Sequence, residues 1–240
     1  MSARFTVHGD SGRLPNIPQA EAPALPARER RSIGEWAVRL ALMVVALAVA
    51  QLGVTLFVFP ALGSDPYTLL AQGVSRTIGL SVGLSHMSSG VLLLIVLLAT
   101  TKGYVLPGTL ICTFFSGPFI DLYTWLFGGM VTPESVMPLR LGTTLAGIVV
   151  TGTGLSLLIR ADGGLGANDL VPVILSDKFH VQYRWVKVGC DTAASTTGFL
   201  LGGALGLGTL LSVCLVGPIA QLLFPVMDRL VYRALGRSGP

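Results

Sequence analysis

The chain has 240 residues, 52% of them hydrophobic and only 12% charged, with a mean hydropathy of +0.73. Soluble domains carry about a quarter charged residues, so a water-facing surface is excluded for most of the chain and lipid is the expected solvent. The formal charge of +4 does not point to nucleic acid, because the basic residues sit at the ends of apolar runs and form no stripe.

In chain order, residues 1–31 come first. Pro15, Pro18, Pro23 and Pro26, little apolar periodicity and a closing cluster of Arg28, Arg30 and Arg31 predict a disordered cytoplasmic tail. No apolar segment precedes residue 36, so the start does not read as a signal peptide. Six stretches are then long enough to cross a hydrocarbon core, which takes roughly 20 helical residues: about 36–59, 82–100, 104–126, 139–160, 186–204 and 207–231. Continuously apolar segments must satisfy their own backbone hydrogen bonds in lipid, so each is predicted to be a helix.

Two shorter segments interrupt this series. Between the first two spans, Ser64 or Asp65 suits a helix cap, Pro66 suits a first turn, and Gly73 or Gly79 can end the helix. Its partner runs from Asn168 to about Ser176, between spans four and five. The span ends are marked by Trp36, Tyr104, Tyr123, Trp125, Tyr183, Trp185 and Tyr232, as expected of rings that prefer the headgroup level. With the N-terminus in the cytoplasm, 12 basic residues fall inside and only Arg76 and Arg140 outside, leaving aside Arg4 and Arg13 of the tail. Both termini are therefore expected in the cytoplasm and the protein in the inner membrane.

An internal repeat is visible. Gly108-Thr109, Gly117-Pro118 and Asp121-Leu122 recur as Gly208-Thr209, Gly217-Pro218 and Gln221-Leu222, all at an offset of 100 residues. Upstream, Leu62-Gly63-Ser64-Asp65 aligns with Leu165-Gly166-Ala167-Asn168 at an offset of 103. Three spans per half is an odd number, so the second half must enter from the opposite face. The fold expected is an all-α membrane protein of six transmembrane helices in two inverted-topology repeats, 32–130 and 131–240, each with a short non-spanning helix.

The stretches ALGSDPYTLLAQGVSRTIGLSVG, PGTLICTFFSGPFIDL and LGTLLSVCLVGPIAQL resemble the bacterial YczE/YyaS/YitT-type integral membrane proteins. The resemblance covers roughly residues 40–230. It implies a membrane protein of this architecture and carries no substrate with it.

The residues that suggest chemistry are few. The starts of the short helices, Ser64-Asp65 and Asn168-Asp169, bring dipole positive ends that can face a solute; the alternative is a connector lying in the membrane surface. Gly117-Pro118 and Gly217-Pro218 are expected to kink their helices and free carbonyls, with Asp121 and Gln221 as polar markers. The candidate substrate-binding set is thus Ser64, Asp65, Asp121, Asn168, Asp169 and Gln221. Asp191 lies one turn from Lys187 and is expected to pair with it, and His86 reads as a hydrogen-bonded packing residue. Gly198, Gly202 and Gly206 read as a close-packing helix face.

His8, His86 and His180 are isolated, so no metal site is expected, and no cofactor. Cys112, Cys190 and Cys214 lie in apolar segments and read as small buried residues. Gly79-Leu80-Ser81-Val82-Gly83 matches a nucleophile pattern but joins two helices rather than a strand to a helix; no enzyme activity is expected. The function expected is transport of a small polar or ionic solute, with a non-transporting scaffold or accessory protein as the alternative. Its partners would be the lipid bilayer and that solute; a homo-oligomer is left open.

Overall fold

The computed structural model describes residues 32–101 and 104–236. The proposed tail, 1–31, lies outside the described residues. Among those residues there are eight helices and no strand: α1 (Ile33–Val58), α2 (Pro66–Ile78), α3 (Val82–Thr100), α4 (Pro107–Phe127), α5 (Met137–Ala161), α6 (Ala167–Phe179), α7 (Tyr183–Leu200) and α8 (Leu207–Ala234). Five are long and apolar enough to cross a membrane: α1, α3, α4, α5 and α8. The sixth span expected, 186–204, does not meet that description. Its helix, α7, ends at Leu200 and carries Arg184, Lys187 and Asp191 together with Thr192, Ser195, Thr196 and Thr197. The glycine face expected there is also not one face. Gly198 is helical, Gly202 sits in the following turn at φ +91°, and Gly206 caps α8.

At the centre α1 and α5 run antiparallel in close contact. A Cβ on Gly53 would overlap the backbone of Gly147 and Thr151, and one on Gly154 would overlap that of Ala46 and Ala50. Small residues thus let the two backbones meet, the device that replaces hydrophobic driving force between helices in lipid. Each helix also closes the other's end. Arg39 Nη1 donates to the Ala161 carbonyl at the end of α5 (2.8 Å). Arg140 donates to the Pro60 carbonyl just past α1, from Nε at 2.9 Å and Nη2 at 2.7 Å. The last carbonyls of a helix have no intrahelical partner, and in lipid each would otherwise cost several kcal/mol.

Beyond each capped end the backbone takes the same path. Ala61 and Asp162 adopt φ of +50° and +51°, and Gly63 and Gly164 adopt +112° and +142°. The Leu62 carbonyl then accepts from Gly208 N–H (2.7 Å) and the Gly163 carbonyl from Gly108 N–H (3.0 Å). Gly63 rests on Thr209 and Gly164 on Thr109, with no room for a side chain at either. The short helices also end alike: Ser75 Oγ donates to the Leu80 carbonyl (2.6 Å) and Ser176 Oγ to that of Val181 (2.7 Å).

These correspondences run at 101 residues through α1–α3. The offset of 103 expected for the first loop is therefore wrong by two. Asp65, the N-cap of α2, corresponds to Gly166, the N-cap of α6, and Asn168 is not a cap. The Pro118 and Pro218 helices continue unbroken, with Phe114 and Cys214 losing the N–H that a non-proline would supply. Cys112 is buried, Cys190 half-buried and Cys214 exposed, so only the first matches the buried residue expected of all three.

The loops predict a paired outcome. Gly63→Ala and Gly164→Ala each add a side chain at positive φ against filled space, and each should cost about 2 kcal/mol or more. Gly142→Ala, in open space on α5, should be neutral or stabilising by up to about 1 kcal/mol. Thermal melting of the detergent-purified variants checks the ordering.

Candidate functional site

A cavity of about 1530 Å³ lies between the helices, lined by residues of α1, α2, α4, α5, α6, α7 and α8 and by His86, Gly90 and Leu93 of α3. The starts of both short helices reach it. α2 begins with Asp65 Oδ2 accepting from Thr68 N–H (3.0 Å). Beside it the Tyr67 hydroxyl donates to the His86 carbonyl (3.1 Å), and its ring meets the His86 ring edge-on, with centroids 4.6 Å apart. His86 Nδ1 lies 3.2 Å from Ser116 Oγ. His86 is thus buried and hydrogen-bonded, as expected of a packing residue.

α6 begins differently. Gly166 supplies no side-chain cap. Asp169, in the first turn, lies 3.8 Å from Lys187 Nζ, and that ammonium also donates to Asp191 at 2.8 Å. The Lys187–Asp191 pair expected from their spacing is present; Asp169, from another helix, completes a three-charge cluster with one cation and two anions. At the 101-residue register, Thr68 corresponds to Asp169, His86 to Lys187 and Gly90 to Asp191. At these three positions the second half is ionic where the first is neutral. Near the far end of α6, the Tyr104 hydroxyl donates to the Asp177 carboxylate. That bond, with the negative charge beside it, pushes the Tyr104 hydroxyl up to about 12.

The predicted residues divide in two. Asp65, Asn168, Asp169, Gln221, Gly217 and Pro218 line the cavity. Ser64, Asp121, Gly117 and Pro118 do not. Ser64 is buried, its N–H donating to Thr209 Oγ1 (3.1 Å). Asp121 instead closes one end of the molecule. Its Oδ2 accepts from Ser81 Oγ (2.5 Å) and its Oδ1 from Gly83 N–H (3.0 Å), so it holds the start of α3 to α4. Gly83 and Gly117 meet there so closely that a Cβ on either would overlap the other's carbonyl.

The corresponding end of the second half stands open. α7 packs on α2 and α6. A Cβ on Gly217 would meet nothing within 4 Å, and cavity-lining residues continue to Arg184 on α7 and to Asp228, Tyr232 and Leu235 at the end of α8. Tyr67, Thr68, Gln51 and Lys187 were not anticipated at the site. Only an apolar helix interrupted by a glutamine marked Gln51 beforehand. Among the described residues no group of three or more His, Cys, Asp or Glu side chains is arranged to hold a metal.

A family model matches residues 37–225, almost all of this helical region; its description is a family of unknown function, DUF6198. The chain belongs to that family. It is 28% identical over 193 residues to an uncharacterized protein of Haemophilus influenzae, covering 80% of this chain and 85% of that one. It is 27% identical over 186 residues to the uncharacterized protein YyaS of Bacillus subtilis (77% and 92%). To the uncharacterized membrane protein YczE of the same organism it is 25% identical over 205 residues (85% and 93%). The resemblance drawn from the sequence is therefore correct, and the chain is a multi-pass membrane protein. No solved structure matches it.

The two ends of the cavity predict opposite responses. Gly117→Ala and Asp121→Ala should each destabilise, the latter by about 1–3 kcal/mol through loss of bonds to a half-exposed carboxylate. Gly217→Ala, meeting nothing, should be neutral or stabilising. Chemical denaturation in detergent measures all three.

Proposed function

We propose that this protein transports a small polar or ionic solute across the inner membrane, without catalysis, by exposing the cavity to one side at a time. The reading includes six spans, with α7 as the sixth, in two inverted repeats. What supports α7 as a span is that its charged Arg184, Lys187 and Asp191, with Thr197, line the cavity, so their cost in lipid is avoided. What supports the repeat is the recurrence, 101 residues on, of the α1 and α5 end caps and of the left-handed loops. Transporters built this way commonly carry their sites on interrupted or short helices between the halves.

The observation that carries the proposal is the asymmetry of the cavity, sealed between α3 and α4 by Asp121 and the two glycines and open between α7 and α8. A packed interface and its unpacked counterpart are the two states that a rocking motion exchanges. With both termini in the cytoplasm, as the 12-to-2 distribution of basic residues favours, the open end faces inward. No nucleotide-binding motif occurs in the sequence, so a gradient or a partner would supply the energy. A scaffold would have no use for a cavity of this size, which makes that reading the weaker one.

Vesicles containing the purified protein, preloaded with a mixed extract of cell solutes and assayed by mass spectrometry, should lose a small subset faster than protein-free vesicles. Linking Ser81→Cys to Asp121→Cys with a short bis(methanethiosulfonate) reagent, which forms a disulfide with each thiol and releases sulfinate, in a background lacking the native cysteines, should abolish that loss and reduction should restore it. Undiminished efflux from the cross-linked protein would refute alternating exposure; a solute profile identical to that of empty vesicles would refute transport.

A further inference from the structure

Asp65 is the one cavity carboxylate that forms no salt bridge with a lysine or arginine among the described residues. Asp169 and Asp191 share Lys187. Glu35 and Asp162 meet Arg39, and Asp228 meets Arg160. Asp65 uses Oδ2 to cap α2, while its Oδ1 is shut away from solvent with no hydrogen-bond partner. One turn on, Thr68 is 0% exposed and its Oγ1 is likewise unpartnered. On the α1 and α5 wall, Gln51, 7% exposed, leaves Oε1 unpartnered, and so does Thr151 with Oγ1. All four residues line the same cavity.

Buried polar atoms are rarely left without partners, and four of them around one cavity call for an explanation. Water would satisfy the hydroxyls and the amide. It would not offset the carboxylate charge, whose burial is costly unless a positive charge stands beside it. We propose that Asp65 and Thr68 hold a monovalent alkali cation, with Gln51 of α1 and Thr151 of α5 supplying further oxygens. The donor set consists of oxygen atoms only, which suits a hard cation. It carries a single negative charge, whereas calcium and magnesium sites draw on more carboxylate or phosphate charge. The second half offers no equivalent. There Gly166 stands for Asp65, and Asp169 for Thr68, with Lys187 already supplying the positive charge.

The proposal names the coupling ion for the transport reading, but it is tested by binding, not by flux. Melting of the purified protein would be followed at fixed pH and ionic strength in sodium, potassium or choline chloride. Sodium or potassium should raise the melting temperature saturably over choline. Asp65→Asn keeps a good helix cap and should abolish the shift. Thr68→Val keeps the shape and should move its midpoint about tenfold to higher concentration, the loss expected of one bond to a charged group. Thr68→Ser should restore it.

Equal melting in all three salts would overturn the proposal, as would a shift that survives Asp65→Asn. Stabilisation by choline alone would put an organic ammonium at the carboxylate and overturn the alkali assignment. Cation binding without solute flux would leave this site standing and remove the transporter reading; flux without any cation effect would do the reverse.

Discussion

The reciprocal capping of α1 and α5 is the constraint on which the rest of the molecule hangs. A helix that ends within or near lipid leaves carbonyls that water cannot reach. Here each of the two central helices lends an arginine to the other, Arg39 to Ala161 and Arg140 to Pro60. The small residues between them bring the backbones close enough for both bonds to form. Once the ends are fixed, the loops that follow have one way out, through left-handed residues and onto the first turns of α8 and α4. Those loops deliver Asp65 and Gly166, and so determine where the short helices begin.

Where the helix ends and loops recur at 101 residues, the informative positions are those where the side chains differ. Asp121 latches α3 to α4, whereas Gln221 faces the cavity and is exposed. Thr68 and His86 are neutral where Asp169 and Lys187 are charged. Matched helix ends and loops thus carry an unmatched cavity wall. On the transport reading proposed above, that suits a solute with two unlike ends, or a solute and an ion. Arg140, one of two basic residues that run against the orientation expected from the sequence, serves the Pro60 carbonyl.

Much of this was legible in the sequence, for identifiable reasons. Continuous apolar runs announced the helices of α1, α3, α4, α5 and α8 because lipid tolerates nothing else. The Gly-Thr repeat was visible because the close approach at Gly108 and Gly208 admits only small residues. Other features were hidden. The register of the short-helix loops is kept by backbone conformation, and Leu62–Asp65 shares only one glycine with Gly163–Gly166, so a chance likeness two residues away misled the alignment. α7 was read as an apolar span because its polar face could not be seen to have a cavity to line. The role of Asp121 and the loneliness of Asp65 are long-range properties that no local spacing encodes.

The crossed arginine caps also bear on how the protein can be divided. Neither half contains the carbonyl that its own arginine serves, nor the arginine that serves its own carbonyl. A polypeptide cut in the exposed stretch around Met130–Val136 leaves each fragment with one orphaned helix end and one unused guanidinium. The fragments are therefore obligate complements: either alone is a substrate for the cell's quality-control proteases, while the two made together recover every bond that the covalent link between them never provided.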